Sequence, residues 1–196
     1  MLDIREQFVK LDFWPCSALD KKKEVVTVSP CGDSDFDALV QMYDTYEPKA
    51  AIQGLPPIDH NTRIEWIRSS LQTALNLKAE LDGAIIAHGM LFTMPNPSVV
   101  EFNLFVHNQT QNRGIGLISA HMLFAAAKRL GYKKVWSFES RNNAPLLETP
   151  SFPATSSALR GPCLLTRDMI SSSNSSSQSS KRTKTSGSVI AISCLD

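Results

Sequence analysis

The stretch Gln109–Gly131, QTQNRGIGLISAHMLFAAAKRLG, sets two glycines one residue apart, Gly114 and Gly116, ahead of a long apolar-striped run. Ile115, Ile118, Met122, Ala126 and Leu130 recur at helical spacing. A helix is therefore predicted from Gly114 to Leu130, with Gly131 as its stop. The first N–H groups of any helix lack internal partners, and that end of the dipole is positive. Glycine there lets an anion reach the main chain without a Cβ in the way. A diphosphate is the natural guest of such a loop, and a plain tight turn is the other reading of the same residues.

The spacing narrows the choice of phosphate motif. A dinucleotide fingerprint needs GxGxxG, but Ser119 stands where the third glycine belongs. A P-loop needs GxxxxGK[ST], and neither its spacing nor its lysine is present. What remains is [Q/R]xxGxG, filled by Gln111-Asn112-Arg113-Gly114-Ile115-Gly116.

The flanking pattern sets this loop in an α/β chain. Val25–Val28 is β-branched and reads as a strand. Asp33 or Ser34 caps a helix with Phe36, Leu39, Val40 and Tyr43 on one face, ending near Pro48. Asp59 or Asn61 caps a second, with Ile64, Ile67, Leu71 and Leu75 in its stripe. Leu75–Leu81 then alternates with period 2, Asp82-Gly83 signals a hairpin, and Ala84–Thr93 and Val99–His107 continue an antiparallel meander. After the glycine-led helix, Lys134–Phe138 reads as a strand parallel to the one before it. Asn142-Asn143-Ala-Pro145 reads as the entry to a further helix.

Composition excludes little else. The 196 residues are 42% hydrophobic and 20% charged, with net charge +1. That balance gives no sign of nucleic-acid or membrane-surface binding. Cys16, Cys31, Cys163 and Cys194 show neither zinc spacing nor a disulfide framework, and no histidine joins a metal pattern. No apolar run reaches the roughly 20 residues that span a bilayer. The N-terminus has no secretory h-region, so a cytoplasmic protein is expected. Residues 1–23, ending in Asp20-Lys21-Lys22-Lys23, read as a solvated N-terminal extension. Residues 149–196 contain 14 serines, which predicts a disordered tail with a domain over 24–148. Val189–Ile192 suits one weak strand without a marked partner.

With these elements in order, Phe102–Glu148 (FNLFVHNQTQNRGIGLISAHMLFAAAKRLGYKKVWSFESRNNAPLLE) resembles the GNAT superfamily of acyl-CoA-dependent N-acyltransferases, and the order of elements from Val25 extends the likeness over about 25–148. The resemblance implies a mixed, mostly antiparallel sheet flanked by helices. It also implies acetyl-CoA as co-substrate, an amine acceptor (small molecule or protein), and direct attack in a ternary complex. It puts the CoA pyrophosphate on Gln111, Asn112, Arg113, Gly114, Ile115 and Gly116. Backbone groups of Phe105 and Val106 would meet the pantetheine arm, joined by Asn143 in the run Asn143-Ala-Pro-Leu146. Glu101, in the strand leading to the site, is the candidate general base if its face of the strand looks into the cleft; the opposite register puts it in solvent. Glu139 and Asn103 are weaker candidates for proton relay or substrate contact.

The chain departs from the family pattern after Glu148. The usual helix ending in a GF signature and two closing strands is replaced by Thr149-Pro-Ser-Phe-Pro153 and the serine-rich tail. The C-terminal strands are thus expected to be missing, leaving Lys134–Phe138 an open edge that invites a partner strand, a homodimer included. A non-catalytic CoA-binding or protein-interaction module is the alternative function that this departure raises.

Overall fold

A computed structural model describes residues 3–50, 54–139, 164–165 and 188–192. Helix α1 spans Ile4–Val9, and strands β1 (Cys16–Leu19) and β2 (Val25–Pro30) follow as a hairpin. Helices α2 (Phe36–Thr45) and α3 (His60–Thr73) lead into the meander β3 (Ala74–Leu81), β4 (Ala84–Thr93) and β5 (Val99–Val106). Helix α4 (Ile115–Arg129) returns the chain to β6 (Lys134–Glu139), and the short strands β7 (Leu164–Leu165) and β8 (Ser188–Ile192) complete the described elements. The sheet runs β7-β1-β2-β3-β4-β5-β6-β8. Among the described strands, only β1–β7 and β5–β6 are parallel pairs. The expected α/β class, with a mixed and mostly antiparallel sheet, is what forms.

Local chemistry explains the boundaries. Asp82 and Gly83 both take positive φ, +50° and +78°, as a two-residue hairpin turn matching the twist of β3 and β4 requires. Asp59 caps α3 by accepting from the Thr62 amide at 2.8 Å. The start of α2 differs from expectation: Asp33–Asp35 first make a 3-10 turn. Asp35 then accepts from the Gly32 amide at 2.9 Å, so the helix proper begins at Phe36. Gly131, at φ +87°, ends α4.

Two apolar layers hold the sheet. On one face α4 and α1 cover Val26, Val28, Leu77, Ala87, Leu91, Val100 and Phe102. On the other, α2 and α3 enclose Leu39, Tyr43, Ile67, Met90 and Phe105. The first layer includes Phe8, Phe13, Cys16 and Ala18, so residues expected as a solvated extension are integral to the core. The six-residue helix and four-residue strand that carry them are too short to show a period. Long-range ties hold them instead: the Arg5 guanidinium donates to the Gln72 carbonyl at 2.6 Å, and the Arg129 guanidinium to Asp12 Oδ1 at 2.6 Å.

The far edge also differs from expectation. Ser188–Ile192 lies antiparallel along β6, from Val135↔Ile192 to Glu139↔Ser188, so the partner that the sequence does not mark for Val189–Ile192 is β6. Leu164–Leu165, in the same expected tail, lies parallel to β1; the other residues of that tail, and the predicted helix entry at Asn142–Pro145, lie outside the described residues. Among the described residues, no helix is long and apolar enough to cross a membrane.

Candidate active site

The site begins where two parallel strands part. β5 and β6 pair over only three positions, Val99↔Lys134, Val100↔Val135 and Glu101↔Trp136. β5 then runs on to Val106 against β4 alone. A wedge therefore opens beyond Glu101, along one main-chain edge of β5.

Register decides which residues serve that edge. The His107 amide donates to the Ile86 carbonyl at 2.8 Å, and the Met94 amide to the Val99 carbonyl at 3.3 Å. Antiparallel pairing alternates, so the odd residues of β5 direct their N–H and C=O at β4, and Leu104 and Val106 direct theirs at the wedge. Of the two residues expected beside a pantetheine arm, Val106 has the required direction. Phe105 pairs with His88 in the ladder, and its main-chain groups point away from the wedge. Its ring is also enclosed, edge-on to Tyr43, Tyr46 and Trp66 at 5.7, 5.9 and 5.6 Å between centroids. Leu104, two residues before Val106, directs its main-chain groups the same way as Val106.

Glu101 stands at the last paired position, on the face of β5 that carries Phe105 and away from α4. It is half-buried, and Asn103 Nδ2 donates to its Oε1 at 3.2 Å. The alternation thus turns Glu101 from the α4 layer to the side of α2 and α3, at the apex of the wedge. Asn143 lies outside the described residues, as does the side chain of Glu139.

The glycine loop closes the open end. His107, buried, holds its first turn: Nδ1 accepts from the Gln109 amide at 3.4 Å, and Nε2 lies 3.1 Å from Thr45 Oγ1 at the end of α2. Gln111 Nε2 donates to the Val106 carbonyl at 3.1 Å. Asn112 takes φ +62° and Gly114 φ +88°, a left-handed conformation that favours glycine. The first bond of α4 runs from the Ile118 amide to the Gly114 carbonyl, so the amides of Ile115, Gly116 and Leu117 have no intrahelical acceptor. No side chain caps this end, and the first turn holds no acidic residue. A Cβ on Gly116 would meet Val106 Cγ2 at 3.4 Å, ordinary van der Waals contact, so the strand end and the helix start lie side by side. The combination fits a phosphate group: amides without acceptors, the positive dipole end and no β-carbon between them.

Arg113 behaves differently from its neighbours. Its guanidinium is bound to Asp20 and Glu24, the Nε–Oδ2 bond being 2.5 Å. It braces the loop from behind and offers a ligand only its main chain. Burial alone would raise the Asp20 carboxyl. The Glu24 and Lys22 amides and Arg113 outweigh that and hold it below its ordinary value.

A third buried polar group is structural. His88 Nε2 lies 3.0 Å from Asn76 Oδ1, and Asn76 Nδ2 donates to the Ser70 and Ala74 carbonyls. His88 therefore carries its proton on Nε2, and Nδ1 accepts from the Tyr43 hydroxyl at 2.8 Å. Desolvation pushes its pKa down to about 3, so it is neutral. No group of three or more His, Cys, Asp or Glu side chains among the described residues could hold a metal ion.

The profile of the Acetyltransferase (GNAT) family matches residues 36–148, more than half of the chain. The chain belongs to that family. Solved structures agree on the GNAT fold. The GNAT domain of S. lividans PAT superposes with a TM-score of 0.59 at 15% identity, covering 69% of this chain and 84% of that one. An N-acetyltransferase from Staphylococcus aureus Mu50 gives 0.51 at 19% identity, covering 62% and 78%. A ribosomal-protein-alanine N-acetyltransferase from Brucella melitensis gives 0.51 at 19%, covering 61% and 78%. Among curated protein sequences, none matches this chain. The GNAT profile begins at Phe36, so α1, the β1–β2 hairpin and its lysines stand outside the matched stretch.

Proposed function

We propose that this chain transfers an acetyl group from acetyl-CoA to an amine, by direct attack within a ternary complex. The observation that carries the reading is the β5–β6 wedge ending at an uncapped, glycine-led helix start. The co-substrate supplies an activated acyl group as its thioester. The amides of Ile115, Gly116 and Leu117 would hold its pyrophosphate. The main-chain groups of Leu104 and Val106 would align its arm along β5, with the thioester at the apex. Orientation of the two reactants accounts for most of the acceleration. The attacking nitrogen must lose a proton, and Glu101 takes the role of base, directly or through one water.

The test is amine-dependent release of CoA thiol by the full chain, with binding followed separately by calorimetry. Glu101→Gln is expected to lower kcat/KM roughly 100-fold while leaving acetyl-CoA affinity within about twofold. Unchanged turnover in that variant removes Glu101 as the base. Saturable acetyl-CoA binding with no amine-dependent release supports instead a non-catalytic CoA-binding module.

A further inference from the structure

The run Lys21-Lys22-Lys23 forms the turn of the β1–β2 hairpin, and that turn is docked on the glycine loop. The Lys21 amide donates to the Arg113 carbonyl at 2.9 Å. The Lys21 stem crosses Gly114: a Cβ built there would meet Lys21 Cγ at 3.8 Å and Cε at 3.9 Å. The turn is itself braced. Asp20 Oδ1 accepts from the Lys22 and Glu24 amides at 2.8 and 2.9 Å, and the Lys23 amide donates to the Asp20 carbonyl at 3.0 Å. Both carboxylates of the turn, Asp20 and Glu24, are bound to Arg113. The three lysines are exposed and make no ion pair among the described residues. A solvated charge run has no need of this bracing. Here both acids face one arginine, while a lysine stem lies beside Gly114, the residue that leads into α4.

We propose that Lys21 is a phosphate-binding residue of the co-substrate site, supplied by the turn of the β1–β2 hairpin, which precedes the residues that the family profile matches. Its ammonium, one bond beyond Cε, adds a mobile cation to the fixed amides of α4. Lys22 and Lys23 raise the local positive potential that draws a polyanion to the loop. The inference rests on the acetyl-CoA reading of the same site.

The test measures binding of acetyl-CoA and of acetyl-3′-dephospho-CoA to the full chain by calorimetry across a range of salt concentration. Lys21→Met keeps the apolar stem over Gly114 and removes the charge, and Lys21→Arg restores a cation. Lys21→Met is expected to weaken acetyl-CoA binding about tenfold at low salt and to flatten its salt dependence. Lys21→Arg is expected to recover most of both. A loss seen with both ligands assigns Lys21 to the pyrophosphate, and a loss confined to acetyl-CoA assigns it to the 3′-phosphate; either supports the proposal. Wild-type binding with Lys21→Met equal in affinity, or weaker with the same salt dependence, overturns it and leaves the proposed function standing. A wild-type chain that binds neither ligand overturns the proposed function and this inference with it.

Discussion

At Gly114 the main chain turns with φ +88°, while Gly116, two residues on, lies inside the first turn of α4. The same substitution should therefore separate them. Gly114→Ala is expected to cost about 1–2 kcal/mol from left-handed strain. Gly116→Ala should be neutral or stabilising by up to about 1 kcal/mol, since alanine suits a helix interior and its Cβ meets Val106 at ordinary contact. Urea unfolding checks both, and equal losses would contradict the assigned conformations. His88 offers a second test. Its folded pKa of about 3 lies below the unfolded value near 6.5. Between those values the unfolded chain binds a proton that the folded chain excludes. The stability His88 contributes is thus full above the unfolded pKa and is lost as pH falls. The expected slope is about 1.4 kcal/mol per pH unit between about pH 6 and pH 4. Glutamine can accept from Tyr43 and donate to Asn76, so His88→Gln should flatten that slope; an unchanged slope would assign the loss elsewhere. Asp20, Asp35 and Asp44, all held below their ordinary values, lose their contributions only at lower pH.

Helix α4 reaches β4 because residue 89 has no side chain: a Cβ there would stand 2.5 Å from Leu123 Cδ1 and 3.4 Å from Leu104 Cδ1. Gly89→Ala is expected to cost about 1–3 kcal/mol through overpacking. Leu123→Val in the same chain should recover part of that loss, and strictly additive losses in a double-mutant cycle would place the crowding elsewhere. The docking of the lysine hairpin depends on Asp20, fully buried at its side chain, more than on half-exposed Glu24. Asp20→Ala should therefore lower the urea midpoint clearly more than Glu24→Ala; the reverse order would contradict the bracing role. These two contacts also mark the limit of what sequence shows. The meander, the glycine-led helix and the parallel return of β6 were legible, because period 2, period 3.6 and the Asp82-Gly83 turn are local signals. The Arg113–Asp20 pair spans 93 residues, and no local pattern announces it. The choice of Leu104 over Phe105 rests on hydrogen-bond parity, which alternation of side chains leaves undetermined. Gly89 reads as one more small residue in an apolar strand until α4 is laid across it.

The molecule as a whole brings together a wedge between parallel strands, a helix start without a cap, and a cationic hairpin on the side of the loop. If these form one acetyl-CoA site, ligand must stabilise the native state. Thermal unfolding of the full chain with and without acetyl-CoA, for wild type and Gly116→Glu, tests this most directly. A glutamate in the first turn of α4 suits the helix dipole, so the variant should fold, while its carboxylate repels a phosphate. Acetyl-CoA at about 100 times its dissociation constant should raise the wild-type midpoint by roughly 5–10 °C. The shift should vanish in Gly116→Glu, whose ligand-free midpoint is expected at or above that of wild type. No wild-type shift at millimolar acetyl-CoA, or an equal shift in the variant, would contradict the site.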